Sequence, residues 1–430
     1  MRRFFVAATA ALVFPLIASA KPLITSSEDT LARVCLAQED SAERLVSACS
    51  AALDAANLTG SQRVELLVAL GDAQSWNNLD SQAEETYQRA LSLDPRALDA
   101  WNGLGWILRG YGNEAEALAA FENSLAIDVS VQGLAGKATT ARATGAIGGD
   151  ESRQMLEAAL AIDPKYIWAI REIAWSHFEE SNFDMAMKRF NEALSHDADD
   201  VNALFGKGRS ALKLSQNQVA LDSLNAALAQ APNHYSARVY RIIALRDLDR
   251  NAQALRDADR LIADYPDRTS GYIEKGLALV ALERRAEAIQ TLSEADALLG
   301  PKNAILYWYA DVLITDGQMS EALAVIDRGI QLDGVDHTDF LLKSYIALEL
   351  NDYPMALQAA EASLETGVED PWAHYYIAIA MVHGGSAKEG IERFNTAIQT
   401  GLPQDRVGAF ARELISAGKY VEAAQLRLKY

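Results

Sequence analysis

Histidines, acids, thiols and glycine loops are the groups from which a catalytic or metal site is built, and this chain spaces them poorly for that purpose. Its histidines are His177, His196, His234, His337, His374 and His383. A zinc pair on one helical face needs two of them four residues apart. None are so placed, and His374 and His383, nine apart, fall on different faces. Each reads as a packed or surface histidine. Acyl chemistry needs an activated Ser or Cys, and no Gly-x-Ser-x-Gly stretch is present. A phosphate cradle needs a glycine-rich loop with a following Lys and Ser or Thr. Thr144-Gly145-Ala146-Ile147-Gly148-Gly149-Asp150 has the glycines without the Lys, so it reads as a loop between helices. The acidic stretches His196–Asp200 and Asp333–Asp339 lack the calcium ligand ladder that ends in Glu. Asp in such turns caps the next helix. No enzyme, metal or cofactor is expected from these residues.

The elements that carry these groups are expected to be helices. At 430 residues the chain is too long for one ordinary core. Half of it is apolar, and Gly and Pro are few. The net charge of −20 is spread along the chain, which disfavours nucleic acid and anionic lipid as partners. Arg2 and Arg3, the apolar stretch Phe4–Ile17 broken by Pro15, and Ala18-Ser19-Ala20 before Lys21 make residues 1–20 an expected cleaved signal peptide. The general secretory route fits it better than the twin-arginine route, which Arg2-Arg3-Phe4-Phe5 only partly matches. No later apolar run reaches membrane length, so the mature chain is expected to carry no transmembrane anchor. The setting is then periplasmic or secreted. In an oxidising compartment Cys35 and Cys49 are expected to pair, in a short loop worth about 2–3 kcal/mol. Two buried thiols are the alternative. One helical hairpin would leave the two cysteines somewhat out of register, so a partly irregular first segment is expected.

Self-similarity supplies the architecture. Ala83, Tyr87, Ala90 and Pro95 set a pattern, and Ala117, Phe121 and Ser124 answer it 34 residues on. Leu156, Ala159 and Pro164 follow, then Ala186, Phe190 and Ala193, then Ala220, Leu224, Ala227 and Pro232. Ala254, Ala258 and Pro266 continue the series, as do Ala288, Leu292 and Ala295, then Ala322, Ala356, and Phe394 with Ala397. Upstream of each set a large residue precedes a small one, as in Leu70-Gly71 and Leu104-Gly105. Spacings of three and four place these residues on one helical face. The small residue lets two antiparallel helices close up, the aromatic fills the next gap, and Pro ends the second helix. One such hairpin buries too little apolar surface to stand alone, but a stack of them builds a continuous core.

The pattern resembles the tetratricopeptide repeat family, most closely at Trp101, Leu104, Gly105, Ala117 and Phe121. The opening Cys pair resembles the front of exported bacterial members. The resemblance implies an all-α, right-handed superhelical solenoid of about eleven antiparallel helix pairs. It divides the mature chain into a cap over 21–63, core repeats over 64–302, and degenerate repeats with a closing cap over 303–430. Gly136, Gly145, Gly148 and Gly149 stand where helix formers are expected, which predicts a loose repeat over 133–150. In this family the first helix of each hairpin lines a concave wall. Carried onto this chain, that wall falls on Trp106, Lys137, Trp168, Arg171, Trp175, Phe178, Phe205 and Arg209.

Aromatic and basic groups in an acidic protein suit a binding surface. The same residues also suit ordinary packing between repeats. A second row, Lys207, Arg241, Lys275 and Lys343, shares one repeat position. It reads either as a ladder for an anionic partner or as stems packed on the next helix with heads at acids such as Asp257. The functional expectation is a non-enzymatic exported scaffold gripping a polypeptide segment, in a cell-envelope setting. Sugar rings stacked on the same aromatics, in envelope polysaccharide export, are the alternative.

Overall fold

The computed structural model describes residues 27–54, 58–332 and 334–430, with side chains from Thr30 onward. The expected signal peptide and Asp333 lie outside the described residues. Among the described residues there are 24 α-helices and no strand. They fall into two compact units, residues 1–232 and 233–430.

The first unit holds α1 (Ser27–Ala37), α2 (Ala42–Leu53), α3 (Gly60–Trp76), α4 (Asp80–Leu93), α5 (Leu98–Tyr111), α6 (Glu114–Ile127), α7 (Val131–Ala143), α8 (Gly149–Ile162), α9 (Ile167–Glu179), α10 (Phe183–His196), α11 (Val201–Lys213) and α12 (Asn217–Gln230). The second holds α13 (Tyr235–Asp247), α14 (Asn251–Asp264), α15 (Thr269–Ala281), α16 (Arg285–Leu299), α17 (Asn303–Thr315), α18 (Met319–Ile330), α19 (His337–Glu349), α20 (Tyr353–Glu365), α21 (Pro371–His383), α22 (Ala387–Gln399), α23 (Arg406–Ser416) and α24 (Tyr420–Lys429). Within each unit consecutive helices pack in pairs. Most odd-numbered helices also touch the odd-numbered helix of the next pair in the same unit, α7 and α9 less closely than the others.

Local chemistry explains the hairpins. A residue with left-handed backbone recurs at the turn inside each pair, for example Asn78 (φ 58°), Gly112 (φ 83°), Ser181 (φ 60°) and Ser215 (φ 56°). That conformation closes the first helix by returning a backbone N–H to its last turn, as Asn113 does to the Leu108 carbonyl at 3.0 Å. Between pairs an Asp side chain orders the turn. Asp94 accepts from Arg96 N at 2.9 Å, and Asp163 accepts from Lys165 N at 3.0 Å.

The repeat residues form the core. Ala83, Ala90, Ala117, Phe121, Ala159, Ala186, Phe190, Ala193, Leu224, Leu292 and Phe394 are wholly buried. Each second-helix aromatic fills the space between two first helices. A Cβ on Gly71 or Gly103 would fall 2.6 or 2.3 Å from the Tyr87 ring, so both neighbours must be small there.

Two expectations change. The repeat over 133–150 is not loosened by its helical glycines. α7 is a regular helix, and a Cβ on Gly136 would lie 2.2 Å from the Phe121 ring. Its glycine is a requirement of close packing. Gly145, Gly148 and the first residue of α8, Gly149, belong to the α7–α8 connection. The first segment is also regular. α1 and α2 join through a short turn containing Gln38 (φ 52°), which brings Cys35 and Cys49 to a Cα–Cα distance of 4.9 Å, and the two form a disulfide. Both are buried against Leu66 and Leu70 of α3.

Candidate binding face

The inner stripe of α9 runs Trp168, Glu172, Trp175 and Glu179, at spacings of four, three and four. Two aromatic groups grow from it. Trp168 meets Trp106 of α5 edge to face, centroids 4.8 Å apart, and Trp106 also packs its edge on Phe121 at 5.1 Å. These contacts span α7, whose buried residues are Gly133, Ala135, Gly136, Ala138, Thr139, Thr140 and Ala141. Side chains this small let indoles from both flanking helices meet above them.

Trp175 packs on the buried Phe190 at 5.0 Å, on Phe178 at 5.5 Å and on Phe205 at 6.1 Å. The Arg209 guanidinium lies over Trp175, Phe178 and Phe205 at 5.3, 4.5 and 5.7 Å. Such stacking is attractive because the ring faces are electronegative.

The remaining two sequence-derived residues sit apart from these groups. Arg171 reaches Asp200 at 2.5 Å, and that Asp also caps α11 by accepting from Ala203 N at 2.7 Å. The acidic stretch around Asp197 and Asp200 is thus occupied as caps, and so is Asp336, which accepts from Thr338 N at 2.7 Å. Lys137 pairs with Glu122 of α6 at 3.0 Å. Three of the four residues of the second basic row follow the same plan, Lys207 being the exception among the described residues. Arg241 meets Asp257 at 3.0 Å, Lys275 meets Asp259 at 2.8 Å, and Lys343 meets Asp327 at 2.7 Å. These are packed stems with neutralised heads.

Three residues that sequence reasoning passed over complete the face around Trp106 and Trp168. Glu172 is half-buried, and burial holds its carboxyl above the ordinary carboxylate range against the downward pull of Arg109, Arg171 and Arg142. Arg109 lies over the Trp106 ring at 5.7 Å. Arg142 pairs with Glu179. Glu172 was legible in principle, since it shares one helical face with Trp168 and Trp175. The partner choice of Arg142 was not, because it depends on how α7 and α9 are set against each other.

The model of the tetratricopeptide repeat family matches residues 81–128, 171–235, 207–269 and 273–336. This chain is a tetratricopeptide repeat protein. A tetratricopeptide repeat protein from Parabacteroides merdae overlays with a TM-score of 0.51 at 15% identity, over 58% of this chain and 98% of that one. A chain of the APC/C hetero-tetramer Cut9–Hcn1 is similar over 94% of this chain and 86% of its own, at 12% identity and a TM-score of 0.47. A thermophilic tetratricopeptide repeat protein of Thermus thermophilus matches 42% of this chain and 99% of its own, at 21% identity and a TM-score of 0.38. Among curated proteins none matches the chain by sequence. Tetratricopeptide repeat proteins are in general interaction scaffolds with protein partners, so the family makes the face on α5–α11 a place to look for a bound chain.

Proposed function

We propose that this tetratricopeptide repeat protein is an exported, non-enzymatic scaffold that binds a polypeptide segment along the inner face of α5, α7, α9 and α11. The observation that carries the reading is the half-buried strip of Trp106, Trp168 and Trp175 with Arg109, Glu172 and Arg142 beside it. Rigid aromatics flanked by charge are what extended peptides use as anchors. Export is supported by the disulfide, since such bonds persist in oxidising compartments. Sugar stacking has less support. The rings of Trp175, Phe178 and Phe205 are covered by one another and by Arg209, which leaves few flat faces for a pyranose.

Site-specific photocrosslinking tests the reading. A photoreactive phenylalanine analogue at Trp168 is expected to link a polypeptide in the native cell envelope, and the same probe at the exposed Glu85 of α4 is not. Equal labelling at both positions would sink the face as the site. N-terminal sequencing of the mature chain is expected to start at Lys21; a start at Met1 would remove the case for export by this route.

A further inference from the structure

The chain contains its own precedent for what the Glu172 position receives. Glu172 is the sixth residue of α9, and Glu274 is the sixth residue of α15. Arg246, the twelfth residue of α13, reaches forward and pairs with Glu274 at 3.0 Å. The twelfth residue of α7 is Arg142, so the corresponding pair in the first unit is Arg142 with Glu172. That pair is not made. Arg142 is taken by Glu179, the last residue of α9, where α15 has Ala281 and so no competing acid.

The other nearby guanidiniums are engaged too. Arg171 is held by Asp200, and Arg109 lies over Trp106. Among the described residues no hydrogen bond or ion pair falls on the Glu172 carboxyl, although it is partly removed from water. The backbones of α7 and α9 also stand further apart than those of α5 and α7. The connection between α7 and α8 is correspondingly long, residues 144–148, where α5 and α6 are joined by 112–113 alone.

We propose that Glu172 is the acceptor for an arginine side chain of the bound polypeptide, seated where Arg246 sits against Glu274, with Trp168 and Trp106 walling its aliphatic stem. This deepens the function proposed above and rests on it. A guanidinium suits the place because it offers two parallel N–H donors to one carboxylate and packs its flat faces on indoles. The net charge of −20, spread along the chain, favours encounter with basic segments in general. The role of Glu179 is to keep Arg142 from closing the seat.

The test uses the mature full chain labelled with 5-fluorotryptophan, its Trp168 fluorine signal assigned by Trp168→Phe. The probe is N-acetyl-arginine amide, with the neutral isostere N-acetyl-citrulline amide as control. The arginine compound is expected to shift the Trp168 signal and the citrulline compound is not. Glu172→Gln is expected to weaken the response at least tenfold. Glu179→Ala, which leaves Glu172 in place, is expected to weaken it as well, because Arg142 then turns to Glu172. A response that survives Glu172→Gln, or is equal for both compounds, or is absent from the unmutated protein, overturns the proposal. Cooperative melting of each variant at or above the parent's temperature excludes misfolding as the cause. Should crosslinking at Trp168 persist while the arginine response fails, the groove reading stands and this one falls.

Discussion

Trp106 and Trp168 touch edge to face at 4.8 Å although three helices, α6, α7 and α8, separate them in the chain. The contact exists because α7 presents Gly, Ala and Thr beneath them. Truncating each indole to Ala, singly and together, is expected to give a coupling energy of about 0.5–1.5 kcal/mol. Urea unfolding followed by circular dichroism measures it. Strict additivity would mean that the rings touch without supporting each other.

Gly136→Ala separates helix propensity from packing. Propensity alone predicts a gain of about 1 kcal/mol from Ala in a helix. The new Cβ would lie 2.2 Å from the Phe121 ring, so a loss of about 1–3 kcal/mol is expected instead. The denaturation midpoint gives the sign, and a stabilised variant would mean that α7 has room to shift.

Glu172→Gln should reveal the cost of holding a carboxylate in this face. The native pKa is raised above the ordinary 4.5 by burial. Between those values the folded chain keeps a proton that the unfolded chain has released, so stability falls as pH rises through that window. The variant is therefore expected to melt about 1–3 °C higher than the parent at pH 7.5. At pH 4 and below the gap should close. A gap that does not change with pH would show that the carboxyl is well solvated.

Ser215 occupies the left-handed turn between α11 and α12 with φ 56°, and its side chain is exposed. L-residues pay about 1 kcal/mol there and glycine does not, while glycine loses somewhat more chain entropy. Ser215→Gly is expected to stabilise the protein by about 0.5 kcal/mol in urea unfolding.

The disulfide closes a separation of 14 residues, worth about 3 kcal/mol in the chain-entropy account. Peptide mapping without reductant should join Cys35 to Cys49. Reduction is expected to raise amide exchange first in α1 and α2, which among the described residues pack chiefly on each other and on α3. Uniform exchange along the chain would show that the bond supports nothing locally.

The sequence by itself determined the period, the pairing of helices and the core. Ala83, Tyr87, Phe121 and Phe190 were readable as core because one helical face repeats every 34 residues, and local periodicity is what fixes which side of a helix is buried. The face was legible only in part. Trp106, Trp168 and Trp175 were found by their repeat position, yet nothing in their spacing said that two of them would meet over α7. The glycines of the 133–150 repeat read as weakness because propensity sees one helix at a time, while Gly136 answers to Phe121 of the preceding helix. Glu172 went unnoticed for a related reason. Whether Arg142 chooses Glu172 or Glu179 depends on the setting of α7 against α9, and long charged side chains choose partners by distances that only the packed helices define.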